Sequence, residues 1–338
     1  MLSMRFFRLY NLPLFLFILT MVAVVIGGTI RIYDAGESCP DWPLCFGSFG
    51  FDVSPEDQKA WYDSTGEYDS RGSDHTYTTW EIFVEWLHRF VTGLILGPLC
   101  IVQWFIAFRR RESIPSVYNA SFAALVLVIA QGIMGYLTVK YDNINWSVAA
   151  HLIMAMFLSL SLLWAWIRWM DADDSLPKWM EIDYRDAIRS RPNLYNLTLS
   201  TMFVLILGAF VSSTPHQNGA CGIGSFDAWP LCHGSLFASI ENTKYLHRLA
   251  VIAVFIFLLS GVQKIENSSL KRVLHCGIGF YILNALIGGI YIITASSGFI
   301  ELLSLLHLVF ATASFLCIGF AALLTRNIIL RAKILEEE

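Results

Sequence analysis

Charge is what this chain has least of. Only 15% of its 338 residues are Asp, Glu, Lys or Arg, against about 25% in an average soluble domain. With 23 basic residues and a net charge of −4, it lacks the dense cationic surface that a nucleic-acid partner demands. Zinc-type cysteine spacing is missing too. The pairs Cys39/Cys45 and Cys221/Cys232 enclose five and ten residues, where structural zinc sites enclose about two to four. An apolar run follows Arg5 and Arg8 as in a secretory leader, but no small-residue cleavage site comes after it. That run is therefore expected to stay as a first membrane helix.

What the chain has instead is apolar length. It is 56% hydrophobic, with a mean hydropathy of +0.56, which points to a bilayer. Eight stretches can cross the hydrocarbon core as helices, near 12–31, 80–107, 117–139, 147–168, 195–213, 242–263, 271–294 and 300–325, each close to the roughly 20 residues a span needs. The expected fold is all-α: a polytopic membrane protein. Sixteen Lys and Arg fall on the side of the N-terminus, Arg109 to Arg111 among them, and five on the other. By the positive-inside rule both termini are cytoplasmic, in a cell inner (plasma) membrane, and the segments 32–79 and 214–241 face outward.

Both cysteine pairs lie in those outward segments. On the oxidising side this points to one disulfide in each, with metal binding as the rival reading. Cys100, Cys276 and Cys317 fall within spans and are expected in the core. The pairs also sit in related strings, Cys39-Pro40-Asp41-Trp42-Pro43-Leu44-Cys45 and Asp227-Ala228-Trp229-Pro230-Leu231-Cys232. Each string precedes a further match, Glu85-Trp86-Leu87-His88-Arg89 and Lys244-Tyr245-Leu246-His247-Arg248. The chain thus divides into an N-terminal four-helix half, 1–170, a cytoplasmic linker, 171–194, and a C-terminal half, 195–338. Four is an even number of crossings, so the halves are expected to be parallel repeats.

Each matched histidine has a second one downstream. His151 follows His88 by 63 residues and His307 follows His247 by 60. All four fall near the outward starts of spans, roughly 6–12 Å below the boundary at 1.5 Å per residue. One histidine in a membrane helix is usually a packing residue. Four at matching depth, in register across a duplication, point instead to axial ligation of iron porphyrin, one haem between each pair. His75, His216, His233 and His275 lie in loops or near a span end and are given no ligand role.

The adjacent charges follow from this. Arg89 and Arg248 need partners at membrane depth; haem propionates are one candidate and an ion pair with a neighbouring side chain the other. Glu85 stands three residues before His88, on the same helix face, where the second half has Lys244. Its carboxylate is a candidate general base, or a stabiliser of developing positive charge, unless it only pairs with Arg89. Either way the first half differs where chemistry would occur.

Over nearly its whole length the chain resembles the haem A synthases of bacteria and mitochondria. The resemblance rests on the eight spans, the Cys39–Cys45 string, Glu85-Trp86-Leu87-His88-Arg89, the run Gln131-Gly132-Ile133-Met134-Gly135-Tyr136-Leu137-Thr138-Val139 before His151, and the His247/His307 pair. It implies oxidation of the C8 methyl group of haem O to the formyl group of haem A. It further implies that His247 and His307 hold a resident haem b, that His88 and His151 bind the haem O substrate, and that Glu85 and the Cys39/Cys45 pair belong to the working half. Partners implied are the lipid bilayer, a haem O synthase and an electron donor, with homo-oligomerisation left open. The segment 46–79, acidic and aromatic, departs from many relatives and is a lid, a docking surface or a solvated insertion. Two other functions use the same histidines: a di-haem cytochrome b that only transfers electrons, and a haem transporter or chaperone.

Overall fold

A computed structural model describes residues 9–67, 71–72, 74–212, 221–230, 232, 242–295 and 301–337. Most of the segment 214–241, with His216, Leu231 and His233, lies outside the described residues, as do Arg5, Arg8, Tyr68 and Asp69. Eight helices are long and apolar enough to span a membrane. They are α1 (Asn11–Ile32), α2 (Thr79–Phe108), α3 (Pro115–Lys140), α4 (Asn145–Ala172), α5 (Tyr184–Ser212), α6 (Thr243–Gln263), α7 (Ser268–Ile293) and α8 (Glu301–Glu337). Among the described residues the only extended pairing is an isolated bridge between Cys45 and Ser48. The chain is an all-α, multi-pass membrane protein.

Local chemistry sets the helix starts. Thr78 and Glu81 form a reciprocal capping box at α2, while Asn242 and Asn267 cap α6 and α7; each cap satisfies backbone N–H groups that the helix itself leaves unpaired. Two spans differ from the expected bounds. α5 begins at Tyr184 rather than 195, so the second half of the 171–194 linker is helix, with Pro192 inside it. α8 continues twelve residues past the expected 325, to Glu337. In both places polar helical turns extend an apolar span, and a hydropathy window detects only the apolar part.

Within α2, Phe90–Leu96 is a π-helical turn directly after Arg89. Pro98 is the cause: it has no N–H for the Leu94 carbonyl and its ring crowds that carbonyl. The ladder shifts by one, and the Gly97 N–H reaches Thr92 instead.

The packing follows a pattern that a shift of four spans reproduces. α1 packs on α2, α2 on α3, α3 on α4 and α1 on α4; α5 to α8 repeat each of these pairings. Between the sets, α4 meets α5 and α8, and α8 meets α1. The central helices are α4 and α8, the most buried of the eight. Large apolar side chains such as Phe105, Ile133, Phe203, Ile256 and Leu286 point outward, as lipid-facing positions do. Cys100 is buried as expected and Cys317 half-buried, but Cys276 is exposed, although it lies beside Cys317 at the edge of the contact between α7 and α8.

One polar cluster fastens α4 to α8. Arg168, 5% exposed, donates to Asp171, to Asn327 on α8 at 2.6 Å and to Ser116 on α3 at 2.8 Å. Removing the guanidinium leaves Asn327 and Ser116 without this donor and Asp171 with only the Arg331 contact at 3.4 Å, a defect of about 1–3 kcal/mol. Arg168→Ala is therefore expected to lower the unfolding temperature in detergent by several degrees, whereas Lys178→Ala, at an exposed position, leaves it unchanged. Equal melting of the two variants would contradict the clasp.

Candidate functional site

The four matched histidines line one continuous cavity of about 2600 Å³, walled by helices of both halves. A single ligand pocket typically measures about 300–1,000 Å³, so the space exceeds what one small ligand needs. Within it His88 lies close enough to His151, and His247 to His307, for their rings to interact electrostatically. The pairs expected from spacing are the pairs brought together.

Each imidazole rests on a glycine of the preceding span. A Cβ added to Gly27 on α1 would come within 3.3 Å of His88 Cε1, one on Gly135 of α3 within 3.5 Å of His151, one on Gly208 of α5 within 3.3 Å of His247, and one on Gly288 of α7 within 2.9 Å of His307. Odd-numbered helices supply the seat and even-numbered helices the ring. The His307 Nδ1 also lies 3.1 Å from the Asn284 carbonyl, one turn before Gly288. The glycines are the functional positions that motif reading missed. Their signal was present as at least one Gly near the loop-side end of every odd span.

This donor set suits an iron porphyrin better than a bare ion. Among the described residues no three His, Cys, Asp or Glu side chains converge to hold a metal. Two facing imidazoles are enough only when a macrocycle fills the other iron positions. The cavity that the histidines line is large enough for such a ring, and the Nδ1 atoms of His151 and His247 are buried without a hydrogen-bond partner.

The loops that hold the cysteine pairs are tied to the histidine-bearing helices by the arginines that follow the first histidines. Arg89 Nη1 donates to the carbonyls of Asp41 and Leu44, and its Nη2 to the Cys39 carbonyl and Glu85. Four of the five guanidinium N–H groups are thereby used within the protein, leaving Nε–H for any other acceptor. Arg248 Nη1 makes the matching bond to the Ala228 carbonyl. In both strings the accepting residue precedes a Trp-Pro pair, and both Trp-Pro peptides are cis.

Glu85, 3% exposed, is the hub of the first loop. Its Oε2 accepts from Ser38 Oγ at 2.9 Å and from the Cys39 N–H at 3.0 Å, while Oε1 pairs with Arg89. It also lines the cavity. Lys244, at the corresponding place in the second half, is likewise buried. Both cysteine pairs are joined as disulfides, with Cα atoms 4.3 Å apart for Cys39–Cys45 and 4.1 Å for Cys221–Cys232. The segment after the first disulfide folds rather than trailing as a solvated insertion. A short helix, Pro55–Thr65, packs Tyr62 with Phe46, Val53, Tyr77 and the disulfide itself. His75 packs edge-on against Tyr77 and His275 is exposed, both away from the four matched histidines.

Comparison with known proteins bears on what this arrangement does. The family model for COX15-CtaA, described as cytochrome oxidase assembly protein, matches residues 10–318. Similar proteins bear the name heme A synthase. One from Exiguobacterium sibiricum is 25% identical over 246 residues, covering 71% of this chain and 69% of the relative. One from another Exiguobacterium species is 23% identical over 289 residues, covering 84% and 83%. One from Novosphingobium aromaticivorans is 27% identical over 314 residues, covering 80% and 83%.

The seats generate a graded prediction. Carbon atoms attract best at about 3.5–4.0 Å, and overpacking costs about 1–3 kcal/mol. Gly288→Ala is expected to lose most haem per protein and to alter the low-spin electron-resonance signal. Gly27→Ala and Gly208→Ala should lose less, and Gly135→Ala is tolerated. Uniform loss across the four, or greatest loss at 135, contradicts the seating.

Proposed function

The chain belongs to the cytochrome oxidase assembly protein family COX15-CtaA, and from that membership we infer that it is a haem A synthase, an oxidoreductase that converts haem O to haem A for terminal oxidases. The observation that carries the reading is one cavity lined by two facing histidine pairs, with a buried carboxylate beside only one of them. In this reading His88 and His151 bind the substrate, haem O, and His247 and His307 hold a resident haem b. The halves 1–170 and 195–338 are parallel repeats joined by 171–194, set in the plasma membrane with both termini cytoplasmic and both disulfides outside.

Turning a methyl into a formyl group is a four-electron oxidation in which the carbon loses two hydrogens and gains one oxygen. Written with water as the oxygen source, one water is consumed and four electrons and four protons are released. Resident haem, when bound, supplies a one-electron path for that traffic. The protein's own residues do the rest. The histidines fix the ring plane of the substrate against Gly27 and Gly135. Glu85 has about four lone-pair sites and gives three of them to Ser38, Cys39 and Arg89. One remains for a proton released at the oxidised carbon. Its fixed negative charge, in a site with little water to screen it, favours a transition state in which positive charge grows on the porphyrin edge. Arg89 and Arg248 act here first as loop anchors, with haem propionates as additional partners. A haem O synthase supplying the substrate completes the scheme together with an oxidant. With dioxygen in that role, two O2 and four electrons from a membrane electron donor balance two hydroxylations at the carbon, and loss of water from the hydrated aldehyde leaves the formyl group. Self-association of this chain is compatible with it.

The test is mass analysis of haems extracted from cells that express the chain together with a source of haem O. Haem A is the expected product. Glu85→Gln, which keeps the shape and removes the charge, is expected to lower its yield by about a hundredfold while haem b content stays the same. Unchanged haem O in a folded, haem-loaded parent would reject the synthase and favour a di-haem cytochrome or a haem carrier.

A further inference from the structure

The two loop strings carry the same Trp-Pro pair but place the tryptophan differently. Trp229 lies flat on α7: a Cβ added to Gly289 would meet its ring atoms Cε2, Cδ2 and Cζ2 at 2.8, 3.0 and 3.0 Å. Gly289 is buried and directly follows Gly288, the seat of His307. The segment carrying Trp229 is pinned on two sides. Arg248, next to His247, holds the Ala228 carbonyl. On the other side the Gly224 N–H donates to the Ile292 carbonyl at 3.0 Å. Gly224 has φ of +76°, and a Cβ there would come within 2.7 Å of the Ala295 carbonyl oxygen, so no other residue fits that turn. The indole is thus wedged between the two ligand-bearing regions of the second half, at the wall of the cavity.

In the first half the wedge is missing. Trp42, which matches Trp229, also borders the cavity but is 67% exposed. The residue that follows the His151 seat, Gly135, is Tyr136 rather than glycine. A phenol side chain there removes the flat backbone surface on which an indole could lie. Arg89 still holds the Asp41 carbonyl, so the loop is anchored as in the second half while its tryptophan stays out.

We propose that Trp229, seated on Gly289, is the retaining residue of the His247/His307 site, and that the absence of this seat at Tyr136 leaves the His88/His151 site open for a porphyrin to enter and leave. The assignment rests on the haem reading above and deepens it: one design holds a permanent group in one half and exchanges a substrate in the other. Trp229 is a positioning residue, acting on retention and not on the reacting atoms.

Haem transfer from the purified, haem-loaded protein to excess apomyoglobin tests this, followed by Soret absorbance. The parent is expected to release haem in a fast and a slow phase, and His307→Ala to abolish the slow one. Trp229→Ala should speed the slow phase at least tenfold, equivalent to about 1.4 kcal/mol. Gly289→Ala should act in the same direction by pushing the indole off its seat. Trp229→Phe, which keeps a flat ring, should restore most of the retention, and Trp42→Ala should leave the slow phase alone. Unfolding temperatures of the variants separate retention from general loosening. The proposal fails if Trp229→Ala melts like the parent and releases haem at the parental slow rate, or if Trp42→Ala accelerates that phase equally. It fails too if the parent shows one phase for both haems, even with haem A production intact. Two phases that respond to Trp229 in a protein making no haem A would support retention while rejecting the synthase.

Discussion

An imidazole can stand in the apolar interior of a helix bundle only where a neighbouring backbone comes close enough to support its edge, and glycine is the residue that permits that approach. The four contacts from Gly27, Gly135, Gly208 and Gly288 to the matched histidines therefore govern much else. They dictate that helices pair as α1 with α2, α3 with α4, α5 with α6 and α7 with α8, because ring and seat come from consecutive spans. They place every histidine near the loop-side start of its helix, since the antiparallel partner carries its glycine near its loop-side end. The cavity is the space these pairings leave between them.

The loops complete what the helices begin. A guanidinium at membrane depth needs acceptors, and water does not supply them there. Arg89 finds them in three loop carbonyls and Glu85, and Arg248 finds one in Ala228. The disulfides keep those carbonyls in place by closing the strings that present them. Among the differences between the halves are Glu85 against Lys244, Tyr136 against Gly289, and the π turn of α2 against the regular helix of α6. In the function proposed, these are positions at which the two halves take different duties.

Much of this was legible beforehand, for identifiable reasons. Eight spans stand out because the bilayer enforces long apolar runs, and the histidine pairs stand out because ionisable residues are rare inside them. The loop cysteines announced themselves through repeated Trp-Pro-Leu-Cys strings. Less visible were features that depend on contact across helices. No window of sequence reports that Gly288 touches His307, or that three of the carboxylate lone pairs of Glu85 are taken. Hydropathy overlooked the polar starts and ends of α5 and α8 because their turns are helical without being apolar. It also overstated the core, since Cys276 is exposed at the edge of a helix contact and not enclosed by it. The segment 46–67 hid its small aromatic core for a similar reason: its acidic residues coat the surface that Tyr62 and Phe46 support from beneath.

The π turn at Phe90–Leu96 has a bearing on how the two halves correspond. Each residue advances an α-helix by about 100°, so one extra residue in a turn changes the angular phase of everything after it. Up to His88 and His247, α2 and α6 run in step, and a residue in one has a true counterpart in the other. Beyond Gly97 they do not: equal offsets from the two histidines fall on different faces, one toward a neighbouring helix and the other toward lipid. A substitution copied between the halves by counting from the ligand thus keeps its meaning on the loop side and loses it on the far side.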